Sequence, residues 1–177
     1  MIKSNSDKIK DIFKELNHHT KKSKNTSELK IDSSLEANNP IVVKGLGAII
    51  LSGVEKKASD IHIEPQKDRS RIRYRIDGIL YEEMNFDISL HSSIISRLKI
   101  LSKLDITEKK IPQDGKFRMK IGEKTIDFRV SVVPLITGEK GVIRILDSQS
   151  YDFNLENLGL NSTDYKKLST LISKKME

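Results

Sequence analysis

Arginine is the residue whose placement in this chain most suggests chemistry. The 177 residues hold 32 Lys and Arg, of which eight are Arg, and all eight lie between Arg69 and Arg144. A guanidinium is always charged, and its planar fork matches two oxygens of a carboxylate or phosphate at once, which an ammonium cannot do. Arg71, Arg73 and Arg75 alternate with Ile72, Tyr74 and Ile76, so a strand sets the three in one row at a spacing of about 6.5–7 Å. Arg129 in DFRVS and Arg144 in VIRIL fall in similar alternating stretches. Such faces suit an anionic ligand. The plainer account is a solvated sheet face whose long arginine stems cover apolar neighbours. Tyr74 lies opposite the arginine row, which argues against the base-stacking platform of RNA-binding sheets, so nucleic acid is not the favoured partner.

No catalytic constellation accompanies these cations. The sequence lacks the GxxxxGK[ST] phosphate loop, the strained GxSxG elbow and HExxH. The GxG of GLGAII sits inside an apolar helical pattern, without the preceding strand and third glycine that a dinucleotide fingerprint needs. Glu82 and Glu83 are adjacent in a strand and point to opposite faces, so they cannot act together as acid and base. There is no cysteine, and His18, His19, His62 and His91 lack ligand spacing, so no metal site is expected. From the residues alone, a binding or regulatory module follows.

The elements that must position the arginines come from the apolar pattern. Hydrophobic residues are 36% and charged residues 32%, with the apolar ones concentrated between Ile41 and Leu146. That supports one core. The net charge of +7 leaves room for an acidic partner. No apolar run approaches the roughly 18 residues of a membrane span. The start, MIKSNSDKIK, has no apolar signal-peptide core. A reducing cytoplasm fits the absent cysteine.

Residues 1–40 form a polar tail or linker, with one amphipathic helical stretch over Asp7 to Leu16. Asn39-Pro40 opens a helix whose stripe is Ile41, Val42, Leu46, Ile49, Ile50 and Val54. Asp60 to Glu64 alternates as a strand with Asp60, His62 and Glu64 on a polar outer face. Arg71 to Asp77 and Ile79 to Met84 form a hairpin around Asp77-Gly78. Asp87 caps a helix running through Leu90, Ile94, Leu98, Leu101 and Leu104. PQDG (112–115) is expected as a turn. Three strands follow, over Phe117 to Ile121, Ile126 to Val132 and Val142 to Leu146, with Pro134 ending the second and Thr137-Gly138 turning into the third. After a loop, Asn161 or Ser162 caps a last helix through Tyr165, Leu168, Leu171 and Ile172. The fold class expected is α+β: a mostly antiparallel sheet of about six strands with helices on one face.

ASDIHIEP (58–65), RIRYRIDG (71–78), SRLKILSKLDITEKKIPQDGKF (96–117), DFRVSVVP and GEKGVIRILD occur in this order. Together they closely resemble the PAS-like second N-terminal domain of the ATPases that drive type II secretion (the general secretory pathway protein E type) and type IV pilus assembly. The resemblance spans residues 41–147. LENLGLNSTDYKKLSTLISK resembles the segment that leads into the family's motor domain, so residues 148–177 are expected as a linker and helix, with the motor beyond Glu177. The resemblance implies a hexameric, cytoplasmic ATPase, peripheral to the inner membrane. It would work with neighbouring subunits, an inner-membrane platform and pilus or secretion assembly proteins. It implies ATP and Mg2+ as cofactors of the complete protein, none held tightly by this chain alone. It also implies that Arg129 and Arg144 reach the nucleotide phosphates at the cleft with the motor domain, and that Asp60, His62 and Glu64 form an interdomain or intersubunit surface. Two departures stand out: Lys140 and Lys116 occupy positions where the family commonly has Arg, so charge is kept and the fork is lost. The alternative is a stand-alone adaptor or a basic nucleic-acid binder.

Overall fold

The alternating stretches pair into a single six-stranded antiparallel sheet, and the two helical stripes pack on one of its faces. The computed structural model describes residues 37–146 and 159–173, in two compact units that divide after Leu146. The expectations for residues 1–36 and 148–158, including the helix over Asp7 to Leu16, lie outside the described residues.

In the first unit the order is α1 (Pro40–Glu55), β1 (Asp60–Pro65), β2 (Arg69–Ile76), β3 (Ile79–Asp87), a 3-10 turn (Ile88–Leu90), α2 (His91–Leu101), β4 (Gln113–Ile121), β5 (Lys124–Leu135) and β6 (Gly138–Leu146). The sheet order is β3-β2-β1-β6-β5-β4. Two three-stranded meanders therefore meet where β1 pairs antiparallel with β6. The second unit is α3 (Ser162–Ser173).

Local chemistry explains the boundaries. Asn39 caps α1 by accepting from the Ile41 N–H at 3.0 Å, and Pro40 follows where its missing N–H has no partner to lose. Asp77 and Gly78 both have positive φ (49° and 82°), which matches the twist of the β2–β3 hairpin. Asp87 accepts from the Ser89 N–H and starts the turn into α2. Of the two candidate caps of α3, Asn161 serves: its Oδ1 accepts from the N–H groups of Thr163 and Asp164.

The core lies between the helices and one sheet face. Leu46, Ile49 and Ile50 of α1 and Ile94, Ile95 and Leu98 of α2 cover Ile61, Ile63, Ile72, Phe128, Val130 and Ile143. Tyr74 is buried there and donates its hydroxyl to the Ile49 carbonyl. Phe117 and Phe128 stack with ring centroids 4.7 Å apart. Gly53 allows the close approach of α1 to β1, because a Cβ there would lie 2.6 Å from Ile61 Cδ1.

Four details differ from the sequence expectation. Gln113, Asp114 and Gly115 are not a turn but the start of β4, paired with Val132, Ser131 and Val130. Gln113 ties the preceding loop down, accepting from the Asp105 N–H and donating to the carbonyls of Asp105 and Glu108. Pro134 does not end β5, which runs to Leu135. Pairing with β4 stops at Val132, so Pro134 sits where the strand has a free edge and the lost N–H is tolerated. The β5–β6 hairpin turns at Ile136-Thr137, one residue early. Helix α2 ends at Leu101, and Leu104 packs on the core from the loop beyond it.

Candidate functional site

The face of the sheet away from the helices carries the charge. Side chains alternate along each strand, so register decides which of them meet. Across β2, β1, β6, β5 and β4, one row reads Arg75, Asp60, Arg144, Arg129, Lys116. The next reads Arg73, His62, Val142, Ser131, Asp114. Arg129 and Arg144, fifteen residues apart in the chain, are thus direct cross-strand neighbours. Adjacent strands lie about 4.8 Å apart, which brings two like charges side by side.

Asp60 relieves part of that repulsion. Its Oδ1 accepts from Arg144 Nε at 2.9 Å, and its Oδ2 lies 3.4 Å from Arg75 Nε and accepts from the Ser59 hydroxyl. Burial alone would push the Asp60 carboxyl up, but the Arg144 and Ser59 hydrogen bonds outweigh it and hold the carboxyl below its ordinary value. Asp60 grips Arg144 by Nε and not by the terminal nitrogens, on a side chain that is 65% exposed. Arg129 is exposed and has no hydrogen-bond or ion-pair partner among the described residues. Asp60, Asp114, Gly115, Lys116, Arg129, Val130, Ser131, Val142 and Arg144 line one open depression.

The other arginine row has a different fate. Glu64 accepts from Arg71 Nη2 at 3.0 Å and Arg73 Nη2 at 2.7 Å, and pairs with Lys140 at 2.9 Å. Burial raises the Glu64 carboxyl, yet the three cations bring it down to about 2. Arg71 and Arg73 are therefore spent on an internal counter-ion rather than offered to a ligand. This corrects the picture of β1 as a strand with an open polar face. As a central strand it is buried on both sides, with Asp60, His62 and Glu64 only 5%, 9% and 7% exposed beneath long cationic stems. Between the two carboxylates, His62 has both ring nitrogens buried without a hydrogen-bond partner. Burial first, and then Lys140, lower its pKa, so it is neutral at pH 7.

The hairpin that carries both central arginines is fixed at its far end by buried polar contacts. His91 Nε2 bonds the Glu139 carbonyl at 2.7 Å, which requires the proton on Nε2, and Nδ1 then accepts from the Ser70 hydroxyl. Lys99, only 1% exposed, pairs with the Glu139 carboxylate and donates to the Glu108 carbonyl. Arg118 and Asp127 form a forked pair on the exposed rim.

The face thus brings Arg129 and Arg144 together and places Asp60 behind Arg144. It keeps His62 and Glu64 one and two rows away. The sequence pattern missed two members, Asp60 as the holder of Arg144 and Lys116 as the neighbour of Arg129. Only register joins them. No group of His, Cys, Asp and Glu suited to a metal occurs among the described residues, and no described helix is long and apolar enough to cross a membrane.

Residues 35–176 match the family described as type II/IV secretion system protein. The type IV pilus assembly ATPase PilB of Myxococcus xanthus is 39% identical over 155 residues, which is 87% of this chain and 27% of that protein. The putative type II secretion system protein E of Escherichia coli is 43% identical over 131 residues, 74% of this chain and 27% of that protein. The chain spans about a quarter of the length of these curated relatives. A crystal structure of the pilus retraction motor PilT with bound ADP aligns at TM-score 0.43 and 20% identity, over 66% of this chain and 32% of that one.

Proposed function

We propose, because this chain belongs to the type II/IV secretion system protein family, that it is the N-terminal part of a secretion or pilus-assembly ATPase, with Arg129 and Arg144 as its contribution to the ATP site. The observation that carries this reading is the direct pairing of the two arginines on the sheet face away from α1 and α2, one without a partner among the described residues and one held by Asp60. Two forked, permanently charged donors side by side suit the oxygens of a transferring phosphoryl group, where positioning and charge stabilisation do most of the catalytic work. The chain carries no phosphate loop of its own. The phosphate-cradling backbone, its lysine and the Mg2+ ligands therefore belong to a motor domain, and the arginines act across the cleft between the two.

On this reading residues 41–147 are the domain, residues 1–40 a tail and residues 148–177 the lead into the motor. The complete protein is a hexamer at the cytoplasmic side of the inner membrane, contacting platform and assembly proteins there. Asp60, His62 and Glu64 act from beneath the interdomain face, not as its outer layer. The isolated chain hydrolyses no ATP and binds it weakly.

The test is kinetic. In a protein joining this chain to its motor domain, Arg129→Ala and Arg144→Ala lower turnover much more than nucleotide affinity. Wild-type turnover in both variants sinks the assignment, as does magnesium-dependent hydrolysis by the 177-residue chain alone.

A further inference from the structure

The two edges of the sheet differ. At one edge, the pairing of β3 with β2 shifts between Ile72 and Arg73 and leaves Glu83 as an extra residue, and such a bulge spoils an edge for further pairing. At the other, β4 pairs with β5 residue for residue from Gln113 to Ile121, with no shift and no proline. Among the described residues the backbone of β4 bonds to no strand but β5. Gln113 is tied to the preceding loop at Asp105 and Glu108, and Gly115 packs on Ser102. From Lys116 to Ile121 no hydrogen bond leads to that loop, which leaves an edge about 20 Å long. Its two sides are chemically distinct. Phe117, Met119 and Ile121 pack on the core but are only half-buried. Lys116, Arg118 and Lys120 alternate with them on the open side and are exposed. Arg118 is matched by Asp127, while Lys116 and Lys120 have no partner among the described residues. Leu101, Lys103 and Phe117 line a depression beside the strand.

We infer that β4 receives an extended segment of a partner protein as a seventh strand of the sheet, one whose residues alternate between acidic and apolar. Backbone pairing supplies the attachment, and the two sides of β4 supply the choice of sequence. Acidic side chains lie beside Lys116 and Lys120, and apolar ones complete the cover over Phe117, Met119 and Ile121. The net charge of +7 also favours an acidic partner. A second copy of this chain does not fit. Two β4 strands side by side set Lys and Arg against Lys and Arg, and β3 of another copy brings its bulge.

The test titrates the 177-residue chain, followed by its backbone amides in NMR, with end-blocked synthetic peptides about eight residues long, the length of an ordinary strand. One alternates Glu and Val, one has the same composition with the acids in a single block, and one alternates Lys and Val. The Glu–Val peptide binds saturably, shifts the amides of β4 first and slows their exchange with solvent. The block peptide binds at least about tenfold more weakly, because its acids no longer share one side of a strand. Lys116→Glu with Lys120→Glu weakens the Glu–Val peptide at least about tenfold and makes the Lys–Val peptide the tighter of the two. Both side chains are exposed, so the fold survives the change, and unaltered amide dispersion verifies this. Absence of saturable binding overturns the inference. Equal binding of the block peptide does so too, since charge alone then attracts, as do shifts centred on β3 or on Arg129 and Arg144. A dimer of the chain whose interface maps to β4 assigns the edge to a second copy and likewise overturns it.

Discussion

Glu64 offers a direct check on whether the open face is organised by internal counter-ions. It is 7% exposed and touches three cations, and its carboxyl is brought from the ordinary 4.5 down to about 2. A depression of roughly 2.5 units corresponds to about 3.4 kcal/mol at neutral pH. The partner side chains of Arg71, Arg73 and Lys140 remain 28%, 26% and 28% exposed, so water screens part of this. A contribution of about 2 kcal/mol is the better expectation. Glu64→Gln keeps the shape and one acceptor but removes the charge, leaving three cations crowded together. The sign follows from the direction of the shift. The folded state holds its proton less tightly than the unfolded chain, so the stabilisation is complete above the unfolded value near 4.5. It is lost as pH falls through the folded value near 2. Urea unfolding followed by circular dichroism should place Glu64→Gln about 2 kcal/mol below wild type at neutral pH, with less than half of that gap left near pH 3. Other carboxylates titrate in both proteins and cancel. An equal gap at both pH values, or none at neutral pH, refutes the idea that Glu64 is the face's charged anchor.

Packing and buried charge give two further checks. Gly115→Ala places a Cβ 2.6 Å from the Ser102 carbonyl and 2.8 Å from Leu104 Cδ2, so it should cost about 1–3 kcal/mol. Gly47→Ala, in α1 with nothing within 4 Å, should gain up to about 1 kcal/mol; thermal melts of the pair decide whether space or propensity rules. Lys99→Met removes a buried cation from Glu139 and the Glu108 carbonyl, and should lower stability by about 3 kcal/mol. Amide exchange in that variant should quicken at Glu108 and in the β5–β6 turn before the rest of the sheet.

Alternation carried most of the fold in the sequence. Ile61 and Ile63, Ile72 and Tyr74, Phe128 and Val130, and Ile143 all face the core as their spacing predicts, and Arg129 and Arg144 lie on the opposite side. Period alone, however, does not say which strands are neighbours. That β6 lies beside β1, bringing Arg144 to Asp60 across 84 residues, follows from topology. For the same reason β1 could be seen to alternate but not to be central, and its polar side chains looked solvated when they are covered. The irregularity between Ile72 and Arg73, which shifts β2's partner from Met84 to Glu82, has no local signature either. PQDG misled because glycine and proline mark turns as a rule. Here Gly115 serves a close approach to Ser102, in a strand held by backbone pairing.

On the proposed reading Arg144 acts on phosphate through its fork, with Asp60 holding it in place. Arg144→Lys keeps the charge and removes the fork, so it separates the two contributions. The decisive measurement is single-turnover ATP hydrolysis, alongside nucleotide affinity, in the motor-containing protein. On that reading, affinity stays within about threefold of wild type and hydrolysis slows by at least about tenfold. Hydrolysis at the wild-type rate in Arg144→Lys would contradict it.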